Sequence, residues 1–297
     1  MFGELASTLP VEVQWKLEEL VKWFRGRGGP VVVAFSGGVD SSVVVAVAAL
    51  ALGPSKVVAV TASSPVYPSR ELRDARRTAR LLKVRHVVIE TDELEDPDFA
   101  SNPPERCFYC KLHLARVLKK VAREVGARVV VDGTNAEDLE GHRPGYLALK
   151  REGIGSPLAE VGFRREEVRL LARALGLPNW NKPSMACLAS RIPYGERITR
   201  ERLARIEAAE ELVRRLVGVR QVRVRDHGVI ARIEVGRDER EKFFSEEVMD
   251  RVAVELMKLG YKYVTLDLSG YRSGSMDEVL SKKIVPLRNS REDVDSS

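Results

Sequence analysis

Short apolar runs rich in β-branched residues alternate, over the first 175 residues, with longer segments whose apolar residues recur every three or four positions. The short runs are typical of buried strands, and the longer segments predict amphipathic helices. Strands are expected at residues 31–35, 56–61, 85–90 and 128–132, and helices at 11–24, 43–52, 69–82, 107–125 and 161–175. This alternation predicts a doubly wound α/β fold, with a parallel sheet covered by helices on both faces.

The second part of the chain follows another pattern. Residues 97–105 and 179–194 are rich in Pro and Asn and are expected to be irregular. The elements predicted after them are a helix at 201–216, a hairpin at 221–235, a helix at 243–259 and a strand at 261–268. We therefore predict an α/β domain at residues 1–185, a smaller α+β domain at 186–288 and a flexible tail at 289–297.

Composition narrows the class of protein. With 44% hydrophobic and 31% charged residues among 297, the chain is that of a globular protein with a sizeable core. Its net charge of +6 and pI near 9.2 favour anionic ligands such as nucleotides, phosphates or RNA. No apolar run is long enough to span a membrane and the N-terminus lacks a signal-peptide pattern, so we expect a cytoplasmic protein without a membrane partner.

The strand at residues 31–35 runs into Ser36-Gly37-Gly38-Val39-Asp40-Ser41-Ser42, after which a helix begins. A strand, a glycine turn and a helix start direct several backbone N–H groups and the helix dipole at one point, where phosphate fits. Asp40 is placed to hold Mg²⁺ between phosphates. The alternative is a tight turn with a polar helix cap. The loop lacks the Gly-Lys-Ser/Thr ending of a Walker A motif.

The chain has three cysteines, which in a cytoplasmic protein favour a reactive or metal-binding role over a disulfide framework. Cys107 and Cys110 have CxxC spacing, and Cys187 is the remaining thiol. Three thiolates on a [4Fe–4S] cluster leave one iron for an exogenous ligand such as sulfide. A zinc site that includes His113 ranks equally on the residues alone. A redox disulfide or inert buried thiols are further alternatives.

Two basic segments complete the candidate chemistry. Cys187 lies in a loop with Lys182 and Arg191, a setting that lowers the pKa of a thiol, although an interdomain linker has the same composition. Arg223 and Arg225 alternate along a predicted strand and so point to one face, where two guanidinium groups can bind a phosphate. A solvated hairpin face explains the same spacing.

A set of motifs recurs in order along the chain, at residues 36–41, 132–133, 143–145, 179–182, 190–195, 222–225, 231–234, 260–268 and 270–274. Together they resemble the LarE family, ATP-dependent sulfur transferases of nickel-pincer nucleotide biosynthesis. The resemblance covers residues 31–274 and implies the PP-loop ATP pyrophosphatase fold, which is adenine nucleotide alpha hydrolase-like.

The resemblance implies a reaction. The enzyme adenylates a carboxylate of pyridinium-3,5-biscarboxylic acid mononucleotide, sulfur displaces AMP, and a second round gives the dithiocarboxylate. One branch of the family sacrifices the sulfur of a single cysteine at the position of Cys187. A second branch holds a [4Fe–4S] cluster with three cysteines, which Cys107, Cys110 and Cys187 match. The resemblance therefore favours the cluster over zinc.

The resemblance also assigns roles residue by residue. The residues expected to hold ATP phosphates and Mg²⁺ are Ser36, Gly37, Gly38, Asp40, Ser41 and Ser42. Those expected to bind the phosphate and carboxylate of the substrate are Ser190, Arg191, Arg223 and Arg225. Lys111 is expected to meet the substrate or the acyl-phosphate charge, and Glu210 and Glu234 to bind a divalent metal. Cys187, Lys111 and Asp40 are the expected catalytic residues.

The expected partners are a small-molecule nucleotide substrate and further copies of the chain in a homo-oligomer; the source of sulfide is open. Nucleic acid is not expected, since no tRNA-binding module or second CxxC pair is visible. The alternative functions are a PP-loop tRNA thiolation enzyme, a sacrificial use of Cys187, and a zinc-structured, non-catalytic nucleotide-binding protein.

Overall fold

The computed structural model describes residues 8–140, 143–183 and 186–278. Its larger sheet consists of the strands β1 (Val31–Ala34), β2 (Val57–Ser63), β3 (Arg85–Glu90) and β4 (Val129–Val131). All pairings in this sheet are parallel, in the order β3-β2-β1-β4. The predicted α/β fold with a parallel sheet is confirmed.

Helices cover both faces of this sheet. The α-helices described before residue 183 are α1 (Val11–Arg27), α2 (Val39–Leu52), α3 (Ser69–Leu81), α4 (Pro97–Ala100), α5 (Arg106–Glu124), α6 (Pro144–Arg151), α7 (Pro157–Val161) and α8 (Arg165–Ala174). Val31 and Val33 of β1 face a core built with α1, α2 and α8, whereas Val32 faces a core built with α5. An apolar residue at every position of β1 is what burial on two faces requires.

Three details of this region differ from the sequence-based expectation. The helix expected at 161–175 is interrupted at Gly162, whose left-handed φ of 85° ends α7 before α8 begins. The helix α6 was not expected; Pro144 is its first residue, a position that proline favours. The loop expected at 97–105 contains α4, which Asp96 caps by accepting a hydrogen bond from the N–H of Asp98.

The smaller sheet lies in the second part of the chain. The elements are α9 (Arg200–Val217), β5 (Val222–His227), β6 (Ile230–Val235), α10 (Glu246–Lys258) and β7 (Tyr263–Leu266). Strands β5 and β6 form the expected antiparallel hairpin, and β7 adds to β6 in parallel. Helix α10 begins later than expected because residues 237–243 form a 3-10 turn. Helices α9 and α10 pack on one face of this sheet around a shared apolar core.

The boundary between the two predicted domains stays a prediction. Residues 184 and 185, where it falls, and the predicted tail at 289–297 lie outside the described residues. A mixed apolar core joins the two parts: Phe99 of α4 and Cys110 of α5 pack with Leu203 of α9. Within the described residues, no helix is both long and apolar enough to cross a bilayer.

Candidate functional site

The turn between β1 and α2 has the geometry of a phosphate loop. Gly37 has a left-handed φ of 73°, and a Cβ there would lie 2.9 Å from the backbone nitrogen of Ala75. Ser41 and Ser42 both donate their hydroxyls to the carbonyl oxygen of Gly38, at 3.3 and 2.7 Å. The glycine is therefore needed for conformation and for close packing, and the two serines stabilise the first turn of α2.

The loop after β4 packs directly against this turn. A Cβ on Gly133 would lie 2.7 Å from the backbone nitrogen of Ser41, so only glycine fits. Asn135 donates its amide to the carboxylate of Asp40 at 2.9 Å. Burial raises the pKa of Asp40, and this hydrogen bond opposes that rise. The carboxyl ends of β1 and β4 thus form one polar edge, where ligands of such sheets bind.

A pocket of about 150 Å³ opens at this edge beside Ser36, Gly38, Asp40 and Asn135. Its wall also carries cationic side chains: Arg165 and Arg169 of α8, and Lys182. The sequence analysis did not single out the two arginines, although their spacing of four places them on one face of a predicted helix. Together these cations supply the positive charge that a polyphosphate requires.

Asn179 and Lys182, from the segment expected to be irregular, hold the loop and its surroundings. Asn179 donates to the carbonyl oxygen of Gly37 at 3.0 Å and to the hydroxyl of Ser42 at 2.9 Å. Lys182 donates to Glu71 at 2.9 Å and to Asp74 at 2.5 Å, both on α3. The segment therefore packs against both the phosphate loop and α3.

The three cysteines lie near one another although Cys187 is remote in sequence. Cys107 and Cys110 are in the first turns of α5, and Cys187 precedes a 3-10 turn at Leu188–Arg191. Burial raises the pKa of Cys110 to about 12, with a smaller upward contribution from Cys187. Cys107 keeps an accessible surface, yet the atoms packed around its sulfur and the nearby Cys187 raise its pKa as well.

Two further side chains act on these sulfurs. Tyr67, in the loop after β2, places its hydroxyl 3.5 Å from the sulfur of Cys110. Lys111 lies beside both cysteines of α5, where its charge lowers the pKa of each thiol and so opposes the effect of burial. No sequence motif indicated Tyr67. Its role depends on the loop after β2 reaching the start of α5.

All three cysteines are free thiols in the structure. Within residues 8–140, 143–183 and 186–278, no three His, Cys, Asp or Glu side chains converge closely enough to hold a single metal ion. Ligands of one zinc ion lie about 2.3 Å from it, so the set of Cys107, Cys110, Cys187 and His113 is not assembled for zinc.

Arg191 is fully buried and directs its guanidinium at the Cys187 loop. One terminal nitrogen donates to the carbonyl oxygens of Ala186 and Cys187, each at 2.8 Å, and to the hydroxyl of Ser190 at 3.0 Å. Its other nitrogens donate to Glu210 at 2.7 and 3.2 Å. This geometry makes Arg191 a positioning residue for Cys187. Direct binding of substrate by Arg191 or Ser190 stays a prediction.

Arg223 and Arg225 share one face of β5, as expected. Arg225 donates to the carboxylate of Glu234 at 2.6 Å and to the carbonyl oxygen of Ser190 at 3.1 Å. Its Nε has no hydrogen-bond partner in the described part of the chain. Burial and the nearby Arg191 lower the pKa of Arg223 to about 10. Both guanidinium groups therefore lie on one buried face of β5, and Arg225 contacts the segment that follows Cys187 through Ser190.

Glu210 and Glu234 serve as counter-ions in the structure. Glu210 pairs with Arg191, and Glu234 pairs with Arg225 and also with Arg232, at 3.1 Å. Their oxygens are thus already engaged by cations. A divalent metal at these two carboxylates stays a prediction that this geometry does not support.

Comparisons with known proteins identify several relatives of the chain. A family model described as asparagine synthase matches residues 16–226. The chain is 39% identical over 252 residues to the pyridinium-3,5-bisthiocarboxylic acid mononucleotide synthase of Lactiplantibacillus plantarum, covering 85% of this chain and 90% of that enzyme. It is 42% identical to an uncharacterized protein of Synechocystis, covering 90% of this chain and 98% of that one. An uncharacterized protein of Methanocaldococcus jannaschii is 30% identical, covering 82% of this chain and 91% of that one.

Proposed function

The chain belongs to the PP-loop family that the asparagine synthase model describes, and within it to the LarE family; from this membership we propose that it is an ATP-dependent sulfurtransferase. It converts a carboxylate of pyridinium-3,5-biscarboxylic acid mononucleotide to the thiocarboxylate. The observation that carries the proposal is that Cys187 lies close enough to Cys107 and Cys110 for its charge to raise the pKa of both thiols.

The phosphate loop performs the activation. A carboxylate oxygen of the substrate attacks the α-phosphorus of ATP, the new oxygen–phosphorus bond forms, and the bond to pyrophosphate breaks. The backbone N–H groups of the loop and the exposed hydroxyl of Ser36 bind the phosphates, and Asp40 binds Mg²⁺. Ser41 and Ser42 shape the loop instead, since both hydroxyls donate to the carbonyl oxygen of Gly38. Arg165, Arg169 and Lys182 line the same pocket and stabilise the charge of the leaving pyrophosphate.

Cys107, Cys110 and Cys187 would hold a [4Fe–4S] cluster. Three thiols are the donors that such a cluster requires, and Lys111 places a positive charge beside them. The surrounding wall is apolar and is formed by Val66, Phe99 and Leu188. When bound, the cluster would supply a sulfide at the iron that no cysteine ligates. The chain's own contribution is to hold the three thiols and to exclude water from one side of them.

Sulfur transfer completes the turnover. A new carbon–sulfur bond forms at the acyl carbon and the carbon–oxygen bond to AMP breaks, because adenylation has made that oxygen a good leaving group. Arg223 and Arg225 bind the phosphate of the mononucleotide, and Lys111 neutralises charge at the acyl phosphate. The proposal includes a homo-oligomeric, cytoplasmic enzyme with ATP bound by the first domain and substrate bound partly by the second.

The proposal is tested with protein purified under anaerobic conditions. We expect pyrophosphate release from ATP when pyridinium-3,5-biscarboxylic acid mononucleotide is added, and a thiocarboxylate product by mass spectrometry. Iron and acid-labile sulfide are measured on the wild type and on Cys110→Ala, and we expect both to be lost in the variant. Release of pyrophosphate with tRNA but not with the mononucleotide would contradict the proposed substrate.

A separate measurement identifies the source of the transferred sulfur. Mass spectrometry of the protein after turnover detects any loss of sulfur from Cys187. An intact Cys187 after several turnovers supports a cluster-borne sulfide, whereas loss of one sulfur per turnover contradicts it and indicates sacrificial chemistry. Stoichiometric zinc in a protein without iron would likewise contradict the cluster.

A further inference from the structure

Arg106, the first residue of α5, is buried beside Cys107 and lacks a carboxylate partner. It is 4% exposed, and its Nε has no hydrogen-bond partner among the residues that the structure describes. One terminal nitrogen donates to the side-chain oxygen of Asn102 at 2.8 Å, and the guanidinium lies 4.5 Å from the centroid of the Tyr194 ring. Throughout the described residues, no Asp or Glu lies within ion-pair distance of Arg106.

Two other buried arginines have carboxylate partners. Arg191 pairs with Glu210, and Arg225 pairs with Glu234. A buried cation without a counter-ion is strongly unfavourable. Arg106, buried next to Cys107, therefore offers a site for an anion.

The neighbours of Arg106 fix its guanidinium in place. Asn102 is fully buried with a left-handed φ of 58°, and it donates to the carbonyl oxygens of Ile192 and Pro193 at 3.2 and 2.7 Å. Tyr194 is held in turn by donating its hydroxyl to Asp277 at 2.7 Å. The cation therefore cannot turn outward to solvent without breaking this set of contacts.

The charge of Arg106 acts on the cysteine site. Burial and the nearby Cys187 raise the pKa of Cys107, and Arg106 is the foremost of the groups that oppose this rise, ahead of Lys111. Asp277 acts in the other direction and more weakly. The positive end of the dipole of α5 adds to the same cationic surroundings.

We infer that Arg106 binds hydrosulfide, the small sulfur anion, beside Cys107. The inference rests on the proposed sulfur-transfer function and assigns that function an anion-binding residue. A guanidinium is weakly hydrated and delocalised, so it suits a large, soft anion better than an ammonium does. The apolar wall formed by Val66, Phe99 and Leu188 removes the competition of water on one side.

Alkylation of Cys107 by two reagents measures this anion affinity directly. Iodoacetate is an anion and iodoacetamide is neutral, yet both react with the same thiolate. The ratio of their rates at one fixed alkaline pH therefore cancels the thiolate fraction. We expect the ratio at Cys107 to exceed that of free N-acetylcysteine, and to fall about fivefold to tenfold in Arg106→Met, as one nearby unit charge predicts.

Two controls separate charge from folding. Arg106→Lys keeps the charge and should keep most of the ratio. Arg116→Met removes an exposed arginine further along the same helix and should leave the ratio unchanged. A wild-type ratio no higher than that of N-acetylcysteine overturns the inference without any variant, as does an equal fall in Arg106→Lys and Arg106→Met.

Sulfide retention distinguishes free hydrosulfide from cluster-borne sulfide. The protein is incubated anaerobically with sodium sulfide, with or without ferrous iron, and acid-labile sulfide is measured after gel filtration. Retention without iron indicates free hydrosulfide, and retention only with iron indicates a cluster ligand. In either case Arg106→Met should retain several-fold less sulfide than Arg106→Lys; equal retention by the two variants overturns the inference.

The outcomes also separate this inference from the proposed function. If the alkylation ratio depends on Arg106 but no pyrophosphate is released with the mononucleotide, the anion site stands and the proposed reaction fails. If the mononucleotide is converted while the alkylation ratio at Cys107 does not depend on Arg106, the proposed reaction stands and the role of Arg106 is wrong.

Discussion

Arg191 and Glu210 form a buried two-point ion pair that ties the loop of Cys187 to helix α9. The guanidinium donates to the two carboxylate oxygens at 2.7 and 3.2 Å. Glu210 also accepts from the backbone N–H of Val224 at 3.2 Å, between the two arginines of β5. Burial alone would raise the pKa of Glu210, but the charge of Arg191 holds it below its usual value. One pair thus couples the sulfur site to the cationic strand.

Breaking this pair should destabilise the protein strongly. In Glu210→Gln the charge of Arg191 stays buried without a counter-ion, and we expect a loss of about 3–5 kcal/mol in the free energy of unfolding, measured by urea denaturation. Glu19→Gln, which breaks an exposed pair with Lys22, is the matched control and should leave the unfolding midpoint unchanged. Similar midpoints for the two variants would contradict a structural role of the Arg191–Glu210 pair.

Gly133→Ala should disrupt the phosphate loop. The new methyl group would lie 2.7 Å from the backbone nitrogen of Ser41, so either α2 or the loop after β4 must move. We expect a loss of about 1–3 kcal/mol in stability together with weaker ATP binding, measured by calorimetry. Gly26→Ala is the control, since a Cβ there meets nothing within 4 Å and lies in helix α1. ATP affinity equal in both variants would contradict the close approach of the two loops.

Asp40→Asn should abolish activation while sparing the fold. The asparagine keeps the shape of the side chain but cannot supply the charge for Mg²⁺, so we expect pyrophosphate release to fall about 10²–10³-fold. Asn135 donates a hydrogen bond to the carboxylate of Asp40, so a change at Asn135 perturbs the same site indirectly. Asn135→Ala should reduce the rate less than Asp40→Asn does. Undiminished pyrophosphate release in Asp40→Asn would show that Asp40 has no part in the reaction.

Cys110 should be the least reactive thiol of the metal-free protein. Because burial raises its pKa to about 12, little thiolate is present at neutral pH and alkylation by iodoacetamide should be slow. The rate should rise about tenfold for each pH unit and reach no plateau below its pKa. Peptide mass spectrometry after timed labelling measures this, with Cys187 as the internal comparison. A plateau for Cys110 near the ordinary thiol pKa of about 8.5 would contradict the burial of this sulfur.

Much of the larger sheet followed from the sequence. The all-apolar run at Val31–Ala34 requires burial on both faces, and the glycine turn after it predicts an anion site at the end of the strand. The break at Gly162 was missed because apolar periodicity continues across it, and only the left-handed backbone of that residue separates α7 from α8. Helix α6 was missed because eight residues give too little periodicity to detect.

The sequence by itself determined the chemical groups: a phosphate loop at Ser36–Ser42, three cysteines, and two arginines on one strand face. Only the tertiary structure decided their roles, because roles depend on which side chains meet after distant segments pack. Arg191 points inward and holds the Cys187 loop, and Glu210 and Glu234 pair with arginines. Arg106 lies beside Cys107 with no carboxylate partner among the described residues. Charge pairing across long sequence separations follows from packing, and local sequence pattern does not encode it.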